Sequence, residues 1–386
     1  MADNEVFPFE VAIPEADLHD LRERLDRTRW AQEIAGPGWD YGMPGNYVRK
    51  LAAYWRNGYD WRAWEARFNE FPQFTTTIDR QRIHFLHIRS RVEGAVPLIV
   101  THGWPGSFVE WLDVIGPLSD PAAGVSDGPA FHLVIPSLPG YGFSGPTTER
   151  GWNTRRIAAA WAELMSRLGY ERFGAVGNDW GSDVSLELAR AYPERVVGAH
   201  VTQLFSLPAG VPGELDDPTP EEQAAIDDMK WADANLTYDR VQSLSPQTIA
   251  HALADSPVGL LAWNSQIFAS QLVDDDFILT NVTLYWLTGT TASAMRLYRE
   301  NATAGRATTP TTIPVALAQF SLDFKAIRRL VERDHKNVVS WHVFDQPGHF
   351  AAHQSPELLV GDIRAFFEAV KSSAAGDDDW RVLGLR

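Results

Sequence analysis

Hydrophobic positions along the 386-residue chain change rhythm three times. From about residue 8 to 70 they recur at helical spacing: Leu18, Leu21 and Leu25 share one face of segment 16–29, and residues 47–55 form a second amphipathic stretch. Five tryptophans (Trp30, Trp39, Trp55, Trp61, Trp64) accompany these helices, and the spacing predicts that they dock against the rest of the protein. From Phe74 the period shortens. Segments 74–78 and 83–88, joined by a turn at Asp79-Arg80, read as a hairpin, and 97–100 is a short apolar run of the buried-strand type. Segments 131–135, 173–176, 196–201, 315–320 and 338–344 continue as strands with helical stretches such as 154–168 between them, which predicts a mostly parallel sheet.

The alternation stops after Val201 and resumes near Ile313. The intervening segment is mostly helical and longer than any ordinary loop, so it reads as an inserted lid. The expected organisation is an N-terminal extension over 1–90, helical and then a hairpin; an α/β core over 91–205 and 309–386; and a helical lid over 206–308. No repeat or low-complexity tract interrupts it, and the run Asp377-Asp378-Asp379 reads as a solvated tail.

Composition narrows the function. A formal net charge of -16 and a pI near 5.1 argue against nucleic acid, whose phosphates require clustered Lys and Arg. The first residues are acidic where a signal peptide is basic, and no apolar run reaches membrane-spanning length, so a soluble cytoplasmic protein is expected. The absence of cysteine excludes disulfides, thiolate catalysis and cysteine metal sites.

The stretch Gly177-Asn178-Asp179-Trp180-Gly181 follows a strand and enters a helix. It fits the nucleophile elbow of the α/β-hydrolase fold, with Asp179 where most hydrolases have serine. Taken alone, Asp179 also fits a simple helix cap. The loop Thr101-His102-Gly103-Trp104-Pro105-Gly106 follows the strand at 97–100, where this fold takes one oxyanion donor; the residue after the nucleophile gives the other. Trp104 and Trp180 are therefore the expected backbone donors and pocket walls. His349, in Gly348-His349-Phe350-Ala351-Ala352-His353, follows the last strand and is the expected base. A metal pair of His349 and His353 lacks a third ligand, and neither metal nor cofactor is expected. Asp323 is the first acid after the strand at 315–320, with Glu332 and Asp334 as poorer choices. The order Asp179, Asp323, His349 is the one this fold uses.

An aspartate nucleophile is ionised without help and suits attack on an sp³ carbon, leaving an ester that a histidine-activated water destroys. Epoxide opening and haloalkane dehalogenation both use such an elbow. An alkoxide leaving group needs an acid, whereas a halide needs weak N–H donors, often from a polar residue after His-Gly; here that residue is Trp104. A catalytically silent binding protein predicts loss of a triad member, and none is lost.

The chain resembles the microsomal-type epoxide hydrolases over nearly its whole length. Besides the three motifs above, the resemblance rests on Tyr54-Trp55-Arg56-Asn57 with Asp60-Trp61, Ile83-His84-Phe85, Asp255-Ser256-Pro257-Val258-Gly259-Leu260 and Leu284-Tyr285-Trp286. It implies that Tyr238 and Tyr298 are the lid phenols that donate to the epoxide oxygen, with Tyr285 a weaker candidate. It departs from the family at Asp323, where Glu is frequent, and at Pro347-Gly348, where Gly-Gly is frequent. The expected substrate is a small apolar or aryl epoxide; a biosynthetic or a detoxifying role, and a homo-oligomer, are each compatible with the sequence.

Overall fold

A computed structural model describes residues 5–36, 38–120 and 128–374, so the Asp377–Asp379 run lies outside the described residues. Nine strands form one sheet: β1 (Phe7–Phe9), β2 (Gln73–Ile78), β3 (Gln81–Ile88), β4 (Val96–Thr101), β5 (Phe131–Pro136), β6 (Phe173–Gly177), β7 (Val196–Val201), β8 (Val315–Ser321) and β9 (Val338–Pro347). Their order is β1-β2-β3-β5-β4-β6-β7-β8-β9; pairs from β5 to β9 are parallel and those from β1 to β5 through β3 antiparallel. The sheet is continuous across residue 90, because β3 pairs with β5. The hairpin turns at Asp79 (φ 48°) and Arg80 (φ 63°), both left-handed as a two-residue turn requires.

The chain moves one way across the sheet from β4 to β5 and the other way from β5 to β6. Right-handed crossovers then place Leu112–Ser119 and Thr154–Arg167 on opposite faces. Helix Trp180–Ala191 joins the latter, and the C-terminal helix Pro356–Ala374 covers the former, where Gly174 and Gly198 admit Phe367 and Phe366 against the strands. The reversal opens a crevice above the adjacent carboxyl ends of β4 and β6, the place where open α/β sheets bind ligands.

Six helices lie between β7 and β8: Pro220–Asn235, Thr237–Leu244, Pro246–Asp255, Pro257–Phe268, Asp275–Thr288 and Thr291–Ala304. Their starts are written locally. Thr219 and Glu222 form a reciprocal capping box, Ser256 caps ahead of Pro257, and Asp274 accepts the Phe277 N–H at 2.7 Å.

The N-terminal helices Glu15–Asp26, Gly45–Asn57 and Trp61–Asn69 pack behind this insertion. Lys50 pairs with Asp275 at 2.8 Å, the Tyr54 hydroxyl donates to Asp276 at 2.6 Å, and Tyr59 donates to Thr280 at 3.0 Å. Leu18, Leu21 and Leu25 are buried, as are Trp55 and Trp61. Trp30 and Trp39 correct the docking expectation: they are 38% and 56% exposed, Trp30 under the Arg49 guanidinium and Trp39 against Tyr47. Both fall between the first two helices, outside the helical spacing on which that expectation rested. Among the described residues no helix is long and apolar enough to cross a membrane.

Candidate active site

Three close backbone approaches build the floor of the crevice. A Cβ on Gly177 would meet the Gly181 carbonyl oxygen at 2.0 Å, one on Gly181 the Thr101 carbonyl oxygen at 2.0 Å, and one on Gly103 the Asp179 Oδ1 at 2.2 Å. Only glycine fits at each. Packed this way, the turn from β6 into helix Trp180–Ala191 forces Asp179 to φ 51°, ψ -120°, a conformation that a non-glycine residue adopts only when its surroundings impose it.

The Trp104 N–H donates to Asp179 Oδ1 at 2.8 Å, and the Trp180 N–H also bonds the carboxylate. Burial raises the Asp179 carboxyl above its ordinary value, while the charge of His349 and these two N–H groups pull against the rise. His349, buried after β9, sets its Nδ1 3.0 Å from Asp323 Oδ1, and its Nε2 has no hydrogen-bond partner among the described residues. Burial favours the neutral imidazole, yet Asp323 first, then Asp179 and Glu110, push its value up to about 9. Glu332 and Asp334 pair elsewhere, with Arg328 and Arg333.

Tyr238 (helix Thr237–Leu244) and Tyr298 (helix Thr291–Ala304) stand over this floor. The Tyr238 ring stacks on Trp104 at 5.0 Å, and Tyr298 meets Trp180 edge-on at 4.7 Å and Trp104 at 5.8 Å. Burial, then the nearby Asp179 charge, hold both phenols well above their ordinary value, so both keep their protons. Tyr285 is placed differently: it is fully buried and its hydroxyl donates to the Gly106 carbonyl at 2.8 Å. Asp179, Trp180, Tyr238 and Tyr298 line a cavity of about 1040 Å³. Among the described residues no group of three potential ligands could hold a metal ion.

Two residues absent from the sequence reading complete the site. Gln203, fully buried just past β7, accepts the Asp179 N–H at 2.6 Å through Oε1 and donates through Nε2 to Asp323 Oδ2. Its position at the carboxyl end of the strand beside the elbow strand was the available signal. Glu110 is buried and accepts from Asn178 Nδ2 at 3.3 Å; burial lifts its carboxyl well above the ordinary range. No motif marks it.

Sheet order, insertion point and elbow together define an α/β hydrolase, and residues 96–354 match the family described as "alpha/beta hydrolase fold". Residues 6–111 match "Epoxide hydrolase N terminus". The chain is 40% identical over 95% of its length to a Stigmatella aurantiaca protein named "Putative epoxide hydrolase", covering 86% of that protein. It is 32% identical to "Epoxide hydrolase 1" of Sus scrofa, over 94% of this chain and 89% of that one. The solved Aspergillus niger epoxide hydrolase superposes with a TM-score of 0.84 at 31% identity, over 95% of this chain and 97% of that one. The chain belongs to the microsomal-type epoxide hydrolase family, and it is an epoxide hydrolase.

Proposed function

We propose that the protein hydrates an apolar or aryl epoxide to a vicinal diol through an ester on Asp179. The observation that carries this reading is the placement of the Asp179 carboxylate on the Trp104 N–H, below two protonated phenols and beside the buried His349–Asp323 pair. In the first step an Asp179 oxygen attacks an epoxide carbon, the carbon–oxygen bond breaks, and Tyr298 or Tyr238 gives the leaving oxygen its proton. Ester formation removes the Asp179 charge, one of those that hold the proton on His349. That proton returns to the tyrosinate, and His349 becomes a base.

In the second step His349 Nε2 takes a proton from water, whose oxygen attacks the ester carbonyl carbon. The Trp104 and Trp180 N–H groups hold the resulting oxyanion. Collapse breaks the ester bond, the departing alkoxide takes the proton from His349, and Asp179 returns its own proton to the imidazole. Asp323 fixes the ring so that Nε2 faces the ester. In this reading residues 1–90 are the extension, 91–205 and 309–386 the core, and 206–308 the lid that holds both phenols.

The test is a turnover screen of the purified protein against aryl and aliphatic epoxides beside haloalkanes, with and without a chelator. Diol formation insensitive to chelator is expected. Haloalkane turnover without epoxide turnover would overturn the reading.

A further inference from the structure

His353 lies four residues beyond the candidate base and plays no part in the chemistry above. Its Nε2 is 2.8 Å from Asp274 Oδ2 and its Nδ1 3.3 Å from Asp113 Oδ2. Both partners only accept when ionised, and a neutral imidazole has a single N–H, so both contacts are satisfied only by the imidazolium. The ring also lies flat on Phe277, with centroids 4.1 Å apart and planes within 13°. Burial opposes the charge, but the two carboxylates prevail and lift His353 to about 9.

The partners belong to different parts of the fold. Asp113, on the helix Leu112–Ser119, also receives Arg67 from the N-terminal helices at 2.6 Å. Asp274 caps the insertion helix Asp275–Thr288, whose next acids are taken by Lys50 and Tyr54. Glu110 also acts on His353, and burial lifts its carboxyl well above the ordinary range. The other ties between the His349 loop and the insertion are apolar or neutral. Phe350 packs on Phe268 and Phe277, each at 5.2 Å, and the Gln354 amide donates to the Gln271 carbonyl. Helix Asp275–Thr288 then passes through Gly289 into the helix that carries Tyr298.

We propose that His353 is a positioning residue: as a cation between Asp113 and Asp274 it latches the Tyr298-bearing insertion to the loop that carries His349. The proposal rests on the catalytic reading above for its consequence, and on geometry alone for the latch. Deprotonation removes the charge and one of the two His353 bonds, which loosens the tie between Asp113 and the start of helix Asp275–Thr288. The folded-state value lies above the unfolded one, so the latch is at full strength below about pH 6.5 and is lost as pH rises through about 9.

Hydrogen exchange of segment 275–288, followed in the intact protein from pH 7 to 10.5 and corrected for intrinsic rate, tests the latch without substrate. Wild-type protection should fall by about tenfold in one transition near pH 9. His353→Gln should exchange at the unlatched level already at pH 7 and show no transition, whereas His353→Arg, which keeps a cation, should stay protected throughout. In burst assays at pH 7, His353→Gln should slow ester formation severalfold and His353→Arg should restore it. Wild-type protection in His353→Gln at pH 7, or a transition that survives in that variant and so belongs to His349, would overturn the proposal. Absence of epoxide turnover by the wild type would remove the catalytic reading and leave the exchange result standing.

Discussion

Asp323 and Asp179 are joined through one side chain: Gln203 donates to Asp323 Oδ2 and accepts the backbone N–H of Asp179 at 2.6 Å. The carboxylate paired with His349 and the turn that carries the proposed nucleophile are therefore held to a common point. Gln203→Leu removes both bonds and leaves the Asp179 N–H buried without an acceptor, a loss of about 1–3 kcal/mol. The melting temperature should drop, and decay of the ester should slow more than its formation, because Asp323 loses its fixed orientation. Stopped-flow analysis of the two steps checks this; equal slowing of both would assign Gln203 to the elbow alone.

His349→Gln should still form the ester and then stall. A burst of epoxide consumption near one per site is expected, with diol following very slowly and substrate mass retained on the peptide that contains Asp179. Asp179→Asn should give no burst, because a neutral amide is a poor nucleophile. Asp323→Ala should stall more mildly than His349→Gln, since the imidazole is still present.

Tyr238→Phe and Tyr298→Phe each remove one donor above Asp179. A donor to a developing oxyanion is worth about 10²–10³ in rate, and the double variant should be close to inactive in ester formation. Tyr285 is committed to the Gly106 carbonyl and cannot replace them. Ester formation at the wild-type rate in the double variant would mean that another group protonates the leaving oxygen.

The charge of His349 links pH to both stability and rate. Its folded value near 9 exceeds the unfolded 6.5, so its contribution to stability is complete below about pH 6.5 and disappears as pH rises through about 9. In the ester form the Asp179 charge is gone and the imidazole should titrate lower than in the free enzyme. Ester decay, followed in single turnover, should thus rise with pH to a plateau reached before the free-enzyme histidine titrates in NMR. The reverse order would separate the base from Asp179.

Much of this was legible in the sequence because the parallel strands announce themselves. β7 runs over Val196–Val201, the predicted limits, and β4, β5, β6, β8 and β9 differ from expectation only by residues at their ends. β1 was hidden: three residues around Pro8 have no period and exist as a strand only by pairing with β2. The helix Trp61–Asn69 was not separated from its neighbours, although Asp60 caps it. Asp179, His349 and Asp323 follow strands in a recognisable order. Gln203 and Glu110 do not, since Asp179 and Asp323 lie 24 and 120 residues from Gln203, Asn178 lies 68 residues from Glu110, and only the folded sheet brings them to the elbow.

The glycine contacts beneath Asp179 bear on how such an enzyme can diversify. With approaches of 2.0–2.2 Å awaiting any added Cβ at Gly103, Gly177 and Gly181, the catalytic floor tolerates no drift. The opposite wall of the cavity comes from helices Pro220–Asn235, Thr237–Leu244 and Thr291–Ala304, and none of them supplies the atoms that crowd those three glycines. Under the proposed reaction, substitutions that alter which epoxides are accepted are expected in the wall rather than in the floor.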